Sequence, residues 1–243
     1  MNIHVYAVAY NEELLMPFFL RHYCKFANQI TIFDNESTDR TAEIIRSFGA
    51  NVISFKTNNT MMDSVQVRIK NEEYKKSRGK ADWVIVVDSD ELVYHPDIVS
   101  LLAKYKKDGI TFPKVDGYDM IGDDYPKFEG QLYDEIKQGV SEWMYCKRAI
   151  FDPFIGINYV VGAHKCSPHG SIVESKKAEI KLLHYRFLCK DFFVKNMEKR
   201  MRRMSEENIK NRWSVLVLPP EETIGHWASG FYESKRKNRI KVI

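Results

Sequence analysis

Two aspartates stand directly after a short apolar run of the sequence. Residues 83–87 are all apolar and mostly β-branched, and Asp88, Asp90 and Glu91 follow them. This pattern predicts a strand that is buried on both faces of a parallel sheet. Because side chains alternate along a strand, Asp88 and Asp90 are expected to point the same way, and both can face one divalent cation. The alternative interpretation is a solvated turn that caps the next helix.

Polar residues also follow two earlier predicted strands. Residues 3–9 form the first, which is followed by Tyr-Asn-Glu at positions 10–12, and residues 29–34 form the second, which ends in Asp34. The carboxyl ends of parallel strands meet at one edge of a sheet, where open α/β sheets bind ligands. We therefore expect the three strand ends to build one ligand site.

The first half of the chain alternates predicted strands and helices. The predicted strands are residues 3–9, 29–34, 51–55 and one that ends at Asp88, and the predicted helices are residues 11–25, 38–48 and 63–77. Strands joined by helices of this length form right-handed crossovers and a parallel sheet. The pattern predicts an α/β fold with a Rossmann-like, mainly parallel central sheet flanked by helices.

The second half predicts a mixed arrangement. Short strands are expected at residues 109–115, 142–151, 158–161 and 179–185, followed by a charged helix at residues 191–212. Residues 116–130 are rich in Asp, Gly and Tyr, so we expect them to be irregular and outside the core. Without a repeat or a clear linker, residues 1–243 are predicted to form a single domain.

The residues at the three strand ends resemble those of family 2 glycosyltransferases of the GT-A fold. They read Tyr-Asn-Glu at 10–12, Asp-Asn-x-Ser-x-Asp-x-Thr at 34–41 and Asp-x-Asp at 88–90, and the resemblance covers roughly residues 3–93. Residues 130–136 and 184–186 are more loosely similar to the small bacterial and viral members. The resemblance implies a GT-A domain in which residues 1–93 bind a nucleotide sugar and residues 94–243, with C-terminal helices, face the acceptor.

The resemblance also implies a reaction. A sugar would pass, with inversion, from a nucleoside-diphosphate sugar, for which a UDP-sugar is favoured, to a hydroxyl of a glycan, a lipid-linked sugar or a protein. Mn²⁺ or Mg²⁺ would neutralise charge on the departing nucleotide. In the family the last Asp of Asp-x-Asp holds the metal, which assigns Asp90. The first contacts the ribose or the metal shell, which assigns Asp88.

Further nucleotide contacts follow from the same resemblance. The residues expected to contact the nucleotide are Ala9, Asn11, Glu12, Asp34, Arg68, Asp88 and Ser89. Ala9 to Glu12 would line the pocket through backbone groups and the Asn11 side chain, and Asp34 would take the base or ribose. Arg68 lies on the helix that often touches the phosphates in relatives, although any solvent-facing helix carries such residues.

Two histidines are candidates to complete the metal shell. His184 ends the apolar run of the last predicted strand, and His164 follows a predicted strand. Several GT-A families place a metal-binding His in a late His-Tyr element, which His184 and Tyr185 resemble. A neutral imidazole binds such metals. The alternative is that either histidine is structural.

An inverting transfer needs a carboxylate that takes the proton from the acceptor hydroxyl. We expect this base after the strand that follows Asp-x-Asp, where the candidates are Asp116, Asp119, Asp123, Asp124, Glu129 and Asp134. We favour Asp124 and then Asp123, which lie in a Gly-Asp-Asp-Tyr-Pro loop. Paired carboxylates raise one pKa toward a useful range. A simple Gly-Asp-Asp turn would equally explain these two residues.

Other functions remain as alternatives. A nucleotidyltransferase also combines a Rossmann-like half with metal-binding carboxylates, but it usually has a Gly-rich basic loop after the first strand, and residues 10–13 contain no glycine. A nucleotide-sugar-binding module without turnover is the second alternative. Nucleic-acid binding is not expected because the basic residues are not interleaved with aromatic ones on one face. Dinucleotide binding is not expected because no Gly-x-Gly-x-x-Gly follows the first strand.

Composition adds weaker constraints. The 243 residues carry a formal charge of +4 from 37 basic and 33 acidic residues. The late basic residues are either solvated surface or a contact for phosphates or an anionic membrane surface. The chain has four cysteines but no Cys-x-x-Cys, which favours reduced thiols, and it shows no leader and no apolar run of membrane-spanning length. We therefore expect a cytoplasmic protein.

Overall fold

In the described part of the chain, two five-stranded sheets are covered by helices. A computed structural model describes residues 1–145, 147–213 and 223–243, with Tyr145 described by its backbone alone. The strands are β1 Ile3–Ala9, β2 Gln29–Asp34, β3 Asn51–Ser54, β4 Trp83–Asp88, β5 Glu91–Tyr94, β6 Val115–Ile121, β7 Gln138–Ser141, β8 Ile150–Phe151, β9 Ile180–Phe187 and β10 Ile240–Lys241. The α-helices are α1 Met16–Tyr23, α2 Thr41–Ser47, α3 Asp63–Glu72, α4 Ile98–Lys107, α5 Leu132–Glu135, α6 Lys190–Arg202, α7 Glu206–Lys210 and α8 Ile224–Lys237. Short 3-10 helices occupy Glu73–Ser77 and Trp143–Tyr145.

The first sheet has the strand order β3-β2-β1-β4-β8. β1, β2, β3 and β4 are parallel, and β8 joins β4 in the antiparallel direction. All seven residues of β1 and the five apolar residues of β4 are buried, as expected for strands covered on both faces. The register pairs Ala9 with Asp34 and Val8 with Asp88, so the three strand ends reach the same edge. The predicted mainly parallel sheet is confirmed.

The second sheet is mixed and has the order β10-β7-β6-β9-β5. β9 runs parallel to β6 and antiparallel to β5, and the register places His184 between Asp119 and Glu91. The chain passes from β4 to β5 through Ser89 and Asp90 alone. The Asp-x-Asp segment therefore lies at the junction of the two sheets.

Part of the second-half prediction was wrong. Residues 116–130 are not all irregular, because Val115–Ile121 forms β6 inside the second sheet. The strand looked polar because it carries a buried carboxylate, Asp119, at an inward position. Residues 109–115 and 158–161 contribute isolated bridges at Phe112 and Tyr159 rather than strands. Residues 142–151 hold a 3-10 helix and then β8, while the strand predicted at 179–185 is present as β9.

The helices begin or break where the sequence has a local reason. α1 starts at Met16 rather than at residue 11, because Asn11 has a left-handed φ of 51° and Pro17 occupies the first turn. The predicted helix 191–212 is divided into α6 and α7, since Ser205 caps α7 by accepting a hydrogen bond from the Asn208 amide. The helix predicted at residues 63–77 is α-helical over Asp63–Glu72 and continues as a 3-10 helix over Glu73–Ser77.

The segment from α6 to α7 is fastened to the first half of the chain. The Met61 amide donates to the Arg203 carbonyl, and the Ser205 amide donates to the Met61 carbonyl at 3.3 Å. The Asp63 amide donates to Asn208 Oδ1 at 3.1 Å, at the start of α3. These contacts hold α6 across the carboxyl edge of the first sheet. None of the helices in the described ranges is long and apolar enough to cross a membrane.

Candidate active site

A cleft of about 210 Å³ opens at the carboxyl edge of the first sheet, between that edge, β9 and α6. Its lining combines the loop after β1, the Asp-x-Asp segment, one face of α3 and one face of α6. The charged residues of the lining are Glu12, Asp63, Lys70, Asp88, Asp90, Arg186, Lys199, Arg200 and Arg203, and the histidines are His164 and His184. The cleft thus brings the strand ends together as predicted and adds cations that the sequence did not reveal.

Asp88, the first aspartate of the motif, is held by two lysines. Its carboxylate pairs with Lys70 of α3 and, at 3.2 Å, with Lys147. Lys147 Nζ lies 2.6 Å from Glu91 Oε2, and Glu91 in turn accepts a hydrogen bond from the Asp88 amide at 2.8 Å. Burial alone would raise the pKa of Asp88, but Lys147 and Lys70 hold it well below its usual range. Asp88 is therefore ionised and fixed in orientation.

Asp90, the last aspartate, begins a chain of charged contacts that crosses the second sheet. Its Oδ2 lies 3.1 Å from His184 Nε2, and His184 Nδ1 lies 2.8 Å from Asp119 Oδ1. Lys235 of α8 then pairs with Asp119 at 2.7 Å and with Glu142 at 2.8 Å. Burial by itself lowers the pKa of His184, but Asp90 and Asp119 outweigh it and raise this pKa to about 9.

Asp90 offers a carboxylate oxygen to a divalent cation, and His184 can offer Nε2 only when the cation displaces the proton that Asp90 and Asp119 stabilise on the ring. Asp119 orients the imidazole through Nδ1 and directs Nε2 toward Asp90, an arrangement common for metal-binding histidines. No group of three or more His, Cys, Asp or Glu with metal-binding geometry occurs in the described residues. Mg²⁺ and Mn²⁺ need no complete protein cage, because one or two side chains plus phosphate oxygens and water complete their shell.

His164, the other predicted ligand, lines the same cleft in a neutral form. Its Nδ1 lies 3.3 Å from the Met144 carbonyl oxygen. Burial, together with Lys147, lowers the pKa of His164 to about 4. Neutral imidazole is the form that binds metals, and its role as a ligand stays a prediction.

The loop after β1 is tied to the loop after β2. The Asn35 amide donates to the Ala9 carbonyl at 2.9 Å, and Asn11 Oδ1 accepts from the Thr38 amide at 2.8 Å. The Asn11 amide also donates to Ser37 Oγ at 2.9 Å. The Asn11 side chain therefore holds the two loops together and is absent from the described cleft lining, whereas Ala9 is part of it.

Glu12 projects into the cleft and pairs with a cation of α6. Lys199 Nζ lies 3.5 Å from Glu12 Oε1 and donates to the Asn11 carbonyl at 2.9 Å. Burial raises the pKa of Glu12 to about 7, against the opposing effect of Lys199. Glu12 is thus a carboxyl group poised to exchange a proton near neutral pH.

Neither Asp34 nor Arg68 is part of the cleft lining formed by the described residues. Asp34 is 5% exposed at the end of β2, and its Oδ2 accepts from the Ser37 amide at 3.2 Å. Its Oδ1 has no hydrogen-bond partner in the described part of the chain. Arg68 is exposed on α3 outside the described lining, while Gln66 and Lys70, four residues apart, point into the cleft.

The loop with the predicted base lies away from this cleft. Asp123 pairs with Arg236 and, at 2.8 Å, with Arg239, and these hydrogen bonds lower its pKa. Neither Asp123 nor Asp124 belongs to the cleft lining formed by the described residues. Ser89, by contrast, does line the cleft between the two aspartates of the motif.

Sequence reasoning missed the residues that support the motif from outside it. Lys147 and Lys235 come from distant segments, and nothing in their local sequence distinguishes them from ordinary surface charges. Asp119 was considered only as a candidate base, and its contact with His184 was not expected. A weak signal existed for Lys70, which is four residues from Gln66 on a predicted helix and so shares its face. Asp119 would have been recognised only if β6 had been predicted as a strand.

The strand order of the first sheet, the mixed second sheet and the Asp-x-Asp segment at their junction define the GT-A type of α/β fold. A family model described as "Glycosyl transferase family 2" matches residues 5–167, well over half of the chain, and the chain belongs to that family. A search of the curated proteins gives no significant match.

The chain is also similar to solved structures of low sequence identity. The 1-349 form of S. aureus TarS is 15% identical with a TM-score of 0.50, over 96% of this chain and 80% of that chain. Full TarS gives 15% identity and a TM-score of 0.49, over 97% and 49%. Glucosyl-3-phosphoglycerate synthase from Mycobacterium tuberculosis, crystallised with Mn²⁺, UDP and glucosyl-3-phosphoglycerate, is 23% identical with a TM-score of 0.33, over 48% and 44%. The chain matches about half the length of the latter two proteins.

Proposed function

We propose that this protein is a divalent-metal-dependent, inverting glycosyltransferase that moves a sugar from a UDP-sugar to a hydroxyl acceptor. The observation that carries the proposal is the Asp-x-Asp segment at the junction of the two sheets, where Asp90 faces His184 across the cleft. Membership of the glycosyl transferase family supports the reaction class. In this proposal residues 1–93 hold the donor and residues 94–243 face the acceptor, a glycan, a lipid-linked sugar or a protein.

Asp90 would hold the cation together with His184, which would have to release its Nε2 proton, while Asp119 fixes the ring through Nδ1. A bound Mn²⁺ or Mg²⁺ supplies positive charge that stabilises the departing diphosphate. Asp88, which Lys70 and Lys147 keep ionised, would orient the ribose or water around the cation. His164 is the further candidate ligand.

The nucleoside would lie over the ends of β1 and β2. Asp34 supports this position because its buried Oδ1 is an acceptor without a partner in the described residues. The imide N–H of uracil is a donor that such an oxygen can accept, and this favours UDP over a nucleotide with no ring N–H. Ala9 and Ser89 line the path toward the diphosphate.

Two positions compete for the role of base. Asp124 and Asp123 were expected from the sequence, but they would have to enter the cleft from a loop that lies outside its described lining. Glu12 already lines the cleft, and burial raises its pKa to about 7, a value suited to a base that works at neutral pH. We therefore propose Glu12 as the base.

Calorimetric titration tests the donor site. UDP, GDP and a panel of UDP-sugars are titrated with and without Mn²⁺ into the wild type, Asp90→Asn, Asp34→Asn and the matched control Asp116→Asn, an exposed aspartate of β6. We expect Mn²⁺-dependent UDP binding that Asp90→Asn weakens by at least about tenfold, since a charged ligand contributes that much. Asp34→Asn should weaken UDP binding, and Asp116→Asn should bind as the wild type does.

The outcome separates the alternatives. If the folded wild type binds no nucleotide in the presence of Mn²⁺, the glycosyltransferase proposal fails. Binding of nucleoside triphosphates with release of pyrophosphate would favour a nucleotidyltransferase. Tight UDP-sugar binding without UDP release in any acceptor mixture would favour a binding module.

Turnover of a donor identified in this way tests the base. Glu12→Gln should lower kcat by about 10²- to 10⁴-fold, the usual contribution of a general base, while leaving the donor Kd within a few-fold. Asp124→Asn should retain activity. The reverse pattern would assign the base to the loop predicted from the sequence. The anomeric configuration of the product, followed by NMR, tests inversion.

A further inference from the structure

Two exposed apolar side chains border the cleft next to Glu12. Leu14 lies in the sequence between Glu12 and Leu15, which both line the cleft, yet its own side chain is 44% exposed. Phe128 is 49% exposed, and its ring centre lies 5.8 Å from that of Phe18. Phe18 is four residues after Leu14 and therefore lies on the same side of the turn that leads into α1. The two exposed side chains thus belong to one surface.

Two half-buried aromatic rings complete this surface. The Tyr125 ring centre lies 6.3 Å from that of Phe128 and 5.9 Å from that of Phe192, in the first turn of α6. Tyr125 also donates its hydroxyl to the Leu14 carbonyl at 2.9 Å. We call Leu14, Tyr125, Phe128 and Phe192 the apolar patch.

Hydrogen bonds fix Phe128 in its exposed position. Arg21 Nη2 donates to the Phe128 carbonyl at 2.7 Å and to the Gly130 carbonyl at 2.8 Å. Gln131 Nε2 donates to the Phe18 carbonyl at 3.2 Å, which joins the same loop to α1. Because the backbone around Phe128 is already ordered, a ligand on the apolar patch binds without the entropy cost of ordering the loop.

The polar groups of the apolar patch favour a hydrocarbon as its ligand. The Tyr125 hydroxyl and Arg21 Nη2 already bond backbone carbonyls. A sugar or a peptide on the patch would lose hydrogen bonds to water, and the side chains of Leu14, Phe128 and Phe192 offer none in return. An alkyl chain carries no such groups, and each CH2 that it buries raises the affinity by about fourfold.

The area of the apolar patch argues against a second copy of the chain as its occupant. A fully buried aromatic side chain covers about 150–250 Å², and Tyr125 and Phe192 are half-buried already. The exposed part of the four side chains is therefore roughly 300 Å², against about 800 Å² per partner in a stable dimer.

The apolar patch lies beside the group proposed to receive the proton of the acceptor. Leu14 is two residues after Glu12, whose carboxyl group projects into the cleft. Burial raises the pKa of Tyr125, and Cys189 and Glu12 add to that effect, so the phenol lies within electrostatic reach of the Glu12 carboxylate. An acceptor whose hydroxyl reaches Glu12 can therefore extend over the apolar patch.

We propose that the apolar patch binds the hydrocarbon chain of an amphipathic acceptor. The inference rests on the proposed function and deepens it, because it selects a lipid-linked sugar among the three acceptor classes. The sugar hydroxyl would reach Glu12 in the cleft while the hydrocarbon chain lies across Leu14 and Phe128.

Calorimetric titration with an alkyl glycoside tests the apolar patch directly. Decyl-β-maltoside, kept below its critical micelle concentration, and maltose are titrated into the wild type, Leu14→Ser and Phe128→Ser. Phe154→Ser is the matched control, because Phe154 is 65% exposed in the turn after β8 and is not part of the patch. We expect the wild type to bind decyl-β-maltoside and not maltose, and each patch variant to weaken that binding by about tenfold. Phe128→Leu should retain most of the affinity, and Phe154→Ser should bind as the wild type does.

Three results of this titration would overturn the inference. Equal affinity for maltose and decyl-β-maltoside would mean that the protein binds the sugar and not the chain. An equal loss of affinity in Phe154→Ser would mean that the alkyl chain adsorbs to any exposed ring. No binding of the alkyl glycoside would remove the hydrocarbon ligand, and a dimer that Phe128→Ser dissociates, measured by light scattering, would then identify a second copy as the occupant.

Failure of the proposed function is distinguishable from failure of this inference. The alkyl glycoside titration needs neither nucleotide nor metal, so it measures the apolar patch even if the wild type binds no UDP. With a donor identified, transfer of labelled sugar to a total lipid extract should give a butanol-extractable product. Phe128→Ser should raise KM for the lipid by about tenfold and leave kcat within a few-fold. Transfer to water-soluble glycans alone would refute the lipid-linked acceptor while the donor assignment stands.

Discussion

Replacement of Lys147 by Met should destabilise the fold in a pH-dependent way. Lys147 is 2% exposed and pairs with Asp88 and with Glu91, which is fully buried. Asp88 keeps Lys70 in the variant, so Glu91 is the group that loses its charged partner. Burial raises the pKa of Glu91 above its usual value in the wild type, and Lys147 opposes only part of that effect. Without Lys147, the least costly folded state is one in which Glu91 binds a proton.

The free energy needed to protonate Glu91 sets the size of the loss in stability. A carboxyl group with an unfolded pKa of about 4.3 requires about 1.4 kcal/mol for each pH unit between that pKa and the pH of the experiment. Neutralising Glu91 therefore costs about 3.7 kcal/mol at pH 7 and about 1.6 kcal/mol at pH 5.5. The first value agrees with the roughly 3–5 kcal/mol lost when one partner of a buried pair is removed. Glu91 has a raised pKa in the folded variant, so protonating it costs less free energy as the pH falls. The stability that the variant loses is therefore smaller at pH 5.5 than at pH 7.

Urea unfolding followed by tryptophan fluorescence measures this deficit, since Trp83 is fully buried. At pH 7 the loss of about 3–4 kcal/mol corresponds to a Tm lower by roughly 6–16 °C for a chain of this size. Lys76→Met is the matched control, because its pair with Glu73 is exposed and worth less than about 1 kcal/mol. Adding Glu91→Gln to Lys147→Met should restore part of the stability. A deficit below about 1 kcal/mol, or one that is equal at pH 7 and pH 5.5, would refute the reasoning.

Three further predictions follow from single contacts. Asp119→Asn should lower Mn²⁺ affinity by about 10- to 100-fold, because it removes the carboxylate that orients His184, and titration with Mn²⁺ measures the change. Gly122→Ala should lower the free energy of unfolding by about 2 kcal/mol or more, because its Cβ would meet the Leu188 carbonyl. Gly230→Ala in α8 has open space and should be neutral or stabilising by up to about 1 kcal/mol, so equal unfolding curves for the two variants would contradict the packing argument. With Glu12 as base, kcat/KM should rise with pH through about 7 and reach a plateau above it, and a flat profile from pH 5.5 to 8.5 would exclude that role.

The ion pairs next to the Asp-x-Asp segment explain why substitutions such as Lys147→Met and Asp119→Asn are expected to change both stability and binding. The Lys147–Glu91 ion pair lies next to Asp88 and holds its position. On the other side of the segment, the Asp119–Lys235 ion pair holds the His184 ring. Both ion pairs are buried or half-buried, so removal of one partner leaves an unpaired charge near Asp88 or Asp90. The geometry of the proposed metal site therefore depends on residues that never touch the substrate.

Local periodicity was sufficient for the first half of the fold. The strands at Ile3–Ala9 and Gln29–Asp34 have the predicted bounds, because a run of apolar residues buried on both faces has few other conformations available. The same reasoning failed at Val115–Ile121, where Asp116, Gly117 and Asp119 hide a strand of the second sheet. A charged residue at an inward position interrupts the alternation of apolar and polar residues by which a strand is predicted from sequence.

What the sequence determined by itself is the parallel sheet, the edge at which its strands end, and the Asp88-Ser89-Asp90 segment on that edge, because these depend on residues close together in the chain. Only the tertiary structure decided which distant groups meet there. The His184 contact with Asp90 and Asp119 depends on the register of β9, and the Lys147 contact with Asp88 and Glu91 joins segments 56 or more residues apart. Such pairings are fixed by the packing of whole sheets and helices, and no local pattern specifies them.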